Sequence, residues 1–205
     1  MRALIYDIEI IKAIPSKNGE RITGIEYCEG WKDHANMGIS VIGAMTWPEG
    51  RAHVWLADNF ADAEFVLTQA DLRVGFNSIP FDNSVLRAND INLDDADCYD
   101  ILRELWAAHG LGSEFAPGTH TGFSLDATAR KNLGAHKTGD GAMAPVDWQQ
   151  GRRGKVIDYC LNDAYLTWKL FDRIMTDGEL LSPVGLDKAF GVKSDLIVQM
   201  RDPRG

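Results

Sequence analysis

Asp7 and Glu9 stand two positions apart in the segment RALIYDIEI. In an extended strand, side chains two apart project to the same side. Two acids pointing together out of an apolar strand repel each other unless a cation lies between them, so this spacing has the form of half a metal site. The spacing alone decides little, because Asp62 and Glu64 repeat it on a surface-helix pattern. Asp82, in GFNSIPFDNSVL, follows a short apolar strand and opens a helix. A carboxylate is favoured at a helix N-terminus in any case. Tyr159 and Asp163, in IDYCLNDAYL, are four apart and share a helix face. Of the five tyrosines, only Tyr159 has Asp four residues on.

Carboxylates are hard oxygen donors and suit Mg²⁺ or Mn²⁺. Two such ions about 3.5–4 Å apart supply what phosphodiester hydrolysis needs: an activated water, a stabilised phosphoryl group and a relieved leaving group.

Taken together and in order, YDIE at 6–9, N-x-x-x-F-D at 77–82 and Y-x-x-x-D at 159–163 resemble the three motifs of the DEDD (DnaQ-like) 3′–5′ exonuclease superfamily. The tyrosine subclass is the matching one, since the position where the histidine subclass carries its His is Asp158. The form most resembled is the proofreading exonuclease domain of family B DNA polymerases. This resemblance implies an α/β, ribonuclease H-like fold, with a mixed sheet of about five strands flanked by helices. It implies hydrolysis from the 3′ end of single-stranded DNA, with release of nucleoside 5′-monophosphates through two divalent cations. Asp7 would bridge both cations, Glu9 and Asp163 would complete the site of the attacking water, and Asp82 would act on the second cation largely through water. Tyr159 would orient that water, because a phenol with a pKa near about 10 is a poor base at neutral pH. Asn77 would hydrogen-bond near the terminal nucleotide and Phe81 would stack on a base, with core packing as the alternative for Phe81. Ile10 and Ile11 would wedge beside that base, or simply pack their loop.

The elements that must position these residues are readable in outline. Residues 2–8 form an apolar strand ending near Asp7 to Glu9, and 10–35 form a long polar loop or hairpin, longer than the family's usual link. Strands follow at 37–46, 51–57 and 72–76, with a helix over 60–70 capped by Asp58 or Asn59. Helices are expected over 81–89, after a brief strand within 96–109, over 125–133 behind Ser124, and over 155–176. Residues 110–123 and 135–154 read as loops, and a strand at 195–199 closes the chain. Strands first as a meander, then alternating with helices, give a mixed α/β sheet. One domain spans 1–205, with a motif-bearing core over about 2–176 and an extension over about 177–205.

The 205 residues carry a formal charge of −9, which argues against a basic nucleic-acid footprint. A carboxylate cluster holding two divalent cations would carry four positive charges that this sum omits. Basic residues gather at Arg130, Lys131 and Lys137 and at Arg152, Arg153 and Lys155, where they would meet a strand's backbone or solvent. His120 and His136 lack ligand partners at metal spacing. Three distant cysteines make neither a disulfide framework nor a thiolate zinc site, and fit a reducing, cytoplasmic compartment. No run is apolar enough for a membrane span. The partners expected are single-stranded nucleic acid, DNA ahead of RNA, and replication or repair proteins. The competing expectations are an exoribonuclease of the same fold and a catalytically weak nucleic-acid-binding subunit of a replication assembly.

Overall fold

The computed structural model describes residues 2–185 and the backbone of 189–191. Its centre is a five-stranded sheet: β1 (Ala3–Ile10), β2 (Ile39–Trp47), β3 (Ala52–Trp55), β4 (Leu72–Gly75) and β5 (Cys98–Asp100), in the order β3-β2-β1-β4-β5. β2 runs antiparallel to both β1 and β3, whereas β4 is parallel to both β1 and β5. Helices α1 (His34–Met37), α2 (Phe60–Thr68), α3 (Asp82–Ala88), α4 (Ile101–Ala108), α5 (Leu125–Leu133), α6 (Ala144–Gln149) and α7 (Arg153–Asp177) complete it, with a 3₁₀ turn at Asp95–Asp97. This is the ribonuclease H-like arrangement that the motifs imply. A small ribbon pairs β6 (Glu179–Leu181) with β7 (Ala189–Gly191).

The period of two in β1 divides the core. Ala3 and Ile5 face a cluster that contains Leu166, Leu170 and Ile174 of α7. Leu4, Tyr6, Ile8 and Ile10 face the opposite cluster, with Val85 and Leu86 of α3. Asp7 and Glu9 therefore continue the row that α7 covers.

Several expected elements shift. β1 runs to Ile10, so Asp7 and Glu9 lie inside the central strand and not at its end. Residues 11–33 are no hairpin: a single parallel bridge joins Ala13 to Tyr27. Asn59 occupies the N-cap of α2, yet its Oδ1 accepts from the Leu56 N–H at 2.7 Å and caps no helical amide. Within 135–154 the expected loop contains α6, a helix begun by Pro145 near its start and too short to show periodicity. Helix α5 is as expected, with Ser124 accepting from Ala127 and Gly134 left-handed at its end. The strand expected at 195–199 lies outside the described residues. Among the described residues no helix is long and apolar enough to cross a membrane.

Candidate active site

β4 pairs with β1 only from Ala3 to Ile5, so β1 projects beyond its parallel neighbour. Open α/β sheets place ligand sites at such carboxyl ends, where connections diverge. Past the last paired residue, the Ile8 N–H donates to Asp82 Oδ1 at 3.2 Å, which seats the start of α3 against β1.

On the other face, α7 crosses β1 and β2 at very close range. Asp7 pairs with Gly43. A Cβ added at Gly43 would stand 2.9 Å from Cys160 Sγ and 3.5 Å from the Cys160 backbone. A side chain there would have to displace the Cys160 thiol, which donates to the Asp7 carbonyl at 3.4 Å. Tyr159 and Asp163, on either side of Cys160, are thereby brought to the two strand carboxylates.

Oxygens of Asp7, Glu9 and Asp163 lie within 4.8 Å of one another. Asp82 lines the same cavity but stands outside that trio, and Tyr159 lines it as well. Glu9, Asp82, Tyr159 and Asp163 are buried, and Asp7 is partly so. Among the described residues, Asp7 Oδ2, Asp163 Oδ1 and the Tyr159 hydroxyl are buried without a hydrogen-bond partner. Such atoms are costly to leave unpaired.

The electrostatics agree with that crowding. Burial first, then the Asp163 charge, pushes the Asp7 carboxyl up to about 8 against the opposing pull of Lys137. Glu9 is raised by burial and then by Asp7 and Asp163. Burial and Asp7 raise Asp82, while the Ile8 amide pulls it back. Asp163 is raised by burial despite Lys137. Burial, followed by Asp163, lifts the Tyr159 phenol well above its ordinary value.

Lys137 belongs to this site, although its spacing joins it to a basic group expected to meet a strand's backbone or solvent. Its Nζ lies 2.5 Å from Asp163 Oδ2 and 4.9 Å from the centre of the Tyr159 ring. Burial pulls the ammonium's pKa down, but Asp163, Tyr159 and Asp7 outweigh burial and keep it charged. Its loop is latched by the Lys137 N–H to Asp126 at 2.9 Å and by the Thr138 N–H to Asn162 at 3.2 Å. Gly139 lies against the Tyr159 ring, where a Cβ would come within 2.8 Å. No periodic signal in the sequence marks this loop.

The second motif is held by Asp100, a role that no spacing in the sequence reveals. Its carboxylate accepts from the amides of Asn77 (2.8 Å), Ile79 (3.1 Å) and Leu102 (3.0 Å). Asn77 takes a left-handed φ of 65°, which Asn tolerates better than most residues. Asn77, Phe81 and Ile10 line the cavity, whereas Ile11 does not.

The remaining basic residues are mostly committed. Arg152 and Lys155 both pair with the buried Asp147, Arg153 lies over Trp148, and Arg130 pairs with Asp126. His120 is buried, bonded to Thr119 and the Gly112 carbonyl, and His136 bonds the Lys137 carbonyl.

No family model matches the sequence, and no curated protein does. Solved structures do. The family B DNA polymerase from the hyperthermophilic archaeon Pyrobaculum calidifontis is similar over 85% of this chain, with a TM-score of 0.55 and 16% identity. What is shared is a fold. The present chain spans 24% of that polymerase chain.

Proposed function

We propose that this chain is a metal-dependent 3′–5′ exonuclease acting on single-stranded DNA. The observation that carries the reading is the meeting of Asp7, Glu9 and Asp163 in one cavity, with two buried carboxylate oxygens lacking partners. Lys137 pairs with only one oxygen of Asp163, and the carboxylate oxygens left over are hard donors that suit a divalent cation. Asp7, Glu9 and Asp163 would hold one Mg²⁺ or Mn²⁺, and Asp82, which lines the same cavity, would serve a second. Bound divalent ions would supply Lewis-acid stabilisation of the phosphoryl oxygens and activation of the attacking water.

The chain's own groups do the rest. Tyr159 stays protonated and lines the cavity, so it would orient water and not abstract its proton. Lys137 adds a fixed positive charge beside a phosphoryl group. Asn77, Phe81 and Ile10 line the cavity that receives the terminal nucleotide. Attack by water forms one P–O bond and breaks the P–O3′ bond; the water gives up one proton to solvent and the leaving O3′ takes one from solvent, leaving a 3′-hydroxyl on the shortened strand and a 5′-monophosphate in the cavity. The choice of DNA rests on the resemblance of DIE and N-x-x-x-F-D to the polymerase proofreading form.

The test uses 5′-labelled DNA and RNA strands of equal sequence with Mg²⁺ or Mn²⁺. DNA should shorten stepwise from the 3′ end, and chelator or Asp7→Ala should abolish it. Cuts within a circular single strand, or preferred degradation of the RNA, would overturn the reading.

A further inference from the structure

The segment 11–33 is unexplained by the chemistry above, yet it forms part of the cavity wall. Ile14, Pro15 and Trp31 from this segment line the cavity together with Asp7 and Phe81. The segment is anchored. The Ile11 and Lys12 amides donate to Gly38 and Met37 carbonyls at 3.2 and 2.9 Å. From α6, the Gln149 amide accepts from the Glu26 N–H at 2.7 Å and donates to the Ile11 and Glu26 carbonyls at 2.8 and 3.0 Å. It is a fixed wall.

At its far end Trp31 meets Phe81 edge-on, with centroids 5.7 Å apart and planes at 61°. His34 closes on Phe81 from a second side at 6.2 Å. One flat base cannot lie parallel to two rings crossed at that angle. Phe81 is partly covered by these neighbours, whereas Trp31 is 67% exposed and the most exposed large apolar side chain of the described residues. Phe65 is almost as exposed but lines no part of the cavity of about 410 Å³, whereas Trp31 is both open and part of its wall, so an indole surface is available to a flat ligand there.

We infer that Trp31 is the stacking platform for the nucleobase at the 3′ end of the bound strand, with Phe81 as its lateral support. This assignment rests on the exonuclease reading and adds a substrate-positioning residue to it. Stacking on an indole is tolerant of base identity, because every base has a π-face. The site should therefore require a base at the terminus without selecting which one.

Binding is measured by fluorescence anisotropy in Mg²⁺, using 5′-labelled single strands with a phosphorothioate last linkage that end in a normal or an abasic nucleotide. The wild-type protein should bind the base-bearing end roughly 5- to 150-fold more tightly, the span a stacked base supplies. Trp31→Ala should lose most of that difference, and Trp31→Phe should keep most of it. In steady-state cleavage, the Trp31→Ala loss should fall on KM more than on kcat. Because Trp31 is largely exposed, the fold should survive, as circular dichroism would verify. Equal discrimination by Trp31→Ala, or none by the wild type, in a protein that still shortens DNA from the 3′ end would overturn the Trp31 assignment alone. A wild-type protein that degrades no strand at all would instead remove the exonuclease reading beneath it.

Discussion

The Lys137 ammonium lies 2.5 Å from Asp163 Oδ2, so a cation of the chain's own already sits at the acidic cluster. It neutralises part of what a divalent ion would neutralise. Lys137→Met should therefore destabilise the metal-free protein, by roughly 1.5–3 kcal/mol for a charged hydrogen bond lost in a buried setting. It should also raise affinity for Mg²⁺ or Mn²⁺, because a like charge is removed. Thermal melts with chelator and calorimetric metal titration check the two halves. Weaker metal binding in the variant would count against this account.

The same crowding gives the metal-free protein an unusual pH profile. The Asp7 carboxyl titrates near 3.8 when free and is pushed up to about 8 in the fold. Between those values the folded state holds a proton that the unfolded state has released. Stability should then fall as pH rises from about 4 to about 8, by at most about 1.4 kcal/mol per pH unit for one such proton. Saturating Mn²⁺ should flatten the trend. Urea titrations at pH 5.5 and 8, with chelator and with metal, measure it, and rising stability in chelator over that range would contradict it.

Asp7 and Tyr159 should separate by role. Asp7→Ala should remove activity and most metal affinity. Tyr159→Phe should slow single-turnover cleavage, on the order of the 10²–10⁴-fold typical of a proton-handling group or less, with metal affinity unchanged. Phe keeps the ring and its packing against Gly139 and Lys137, so the fold should survive the change, as a melting curve would verify. A marked loss of stability in Tyr159→Phe would show a structural bond there.

Gln149 should influence the site from a distance, since its amide joins α6 to the 11–33 wall through three hydrogen bonds. Gln149→Ala should loosen that wall and raise KM for single strands, in the same direction as Trp31→Ala, with metal affinity intact. Hydrogen exchange at Glu26 should quicken. Unchanged exchange would mean that the bridge holds nothing.

Periodicity accounts for the part of the site that is legible in the sequence. Asp7 and Glu9 inherit their common side from the strand repeat, and Tyr159 and Asp163 theirs from the helix repeat, but it is the resemblance of the three motifs, and not spacing, that joins them in one site. Asp82 needs only a strand followed by a helix start. Lys137 and Trp31 lie in irregular segments, where no repeat says which way a side chain points. Asp100 is visible as a residue in a short strand, but its three backbone bonds depend on how the 77–81 turn folds over it. Arg152 and Lys155 look available only while 135–154 is taken for a loop, because Asp147, which pairs with both, lies on α6 within it.

Asp7 sits on the first strand and Asp163 on the longest helix, 156 positions later. An ion held by both would tie the two ends of most of the chain, as a removable cross-link would. Joining such distant points in a denatured chain costs entropy that grows only slowly with their separation. In the folded protein the sheet and α7 have already closed that ring. The ion would thus oppose unfolding most strongly at the contact between the chain's beginning and its last long helix. A backbone nick between the two carboxylates would leave two fragments held by the sheet, by the packing of α7 and by one metal, and chelation would remove the last of these clasps, so that less denaturant would part them.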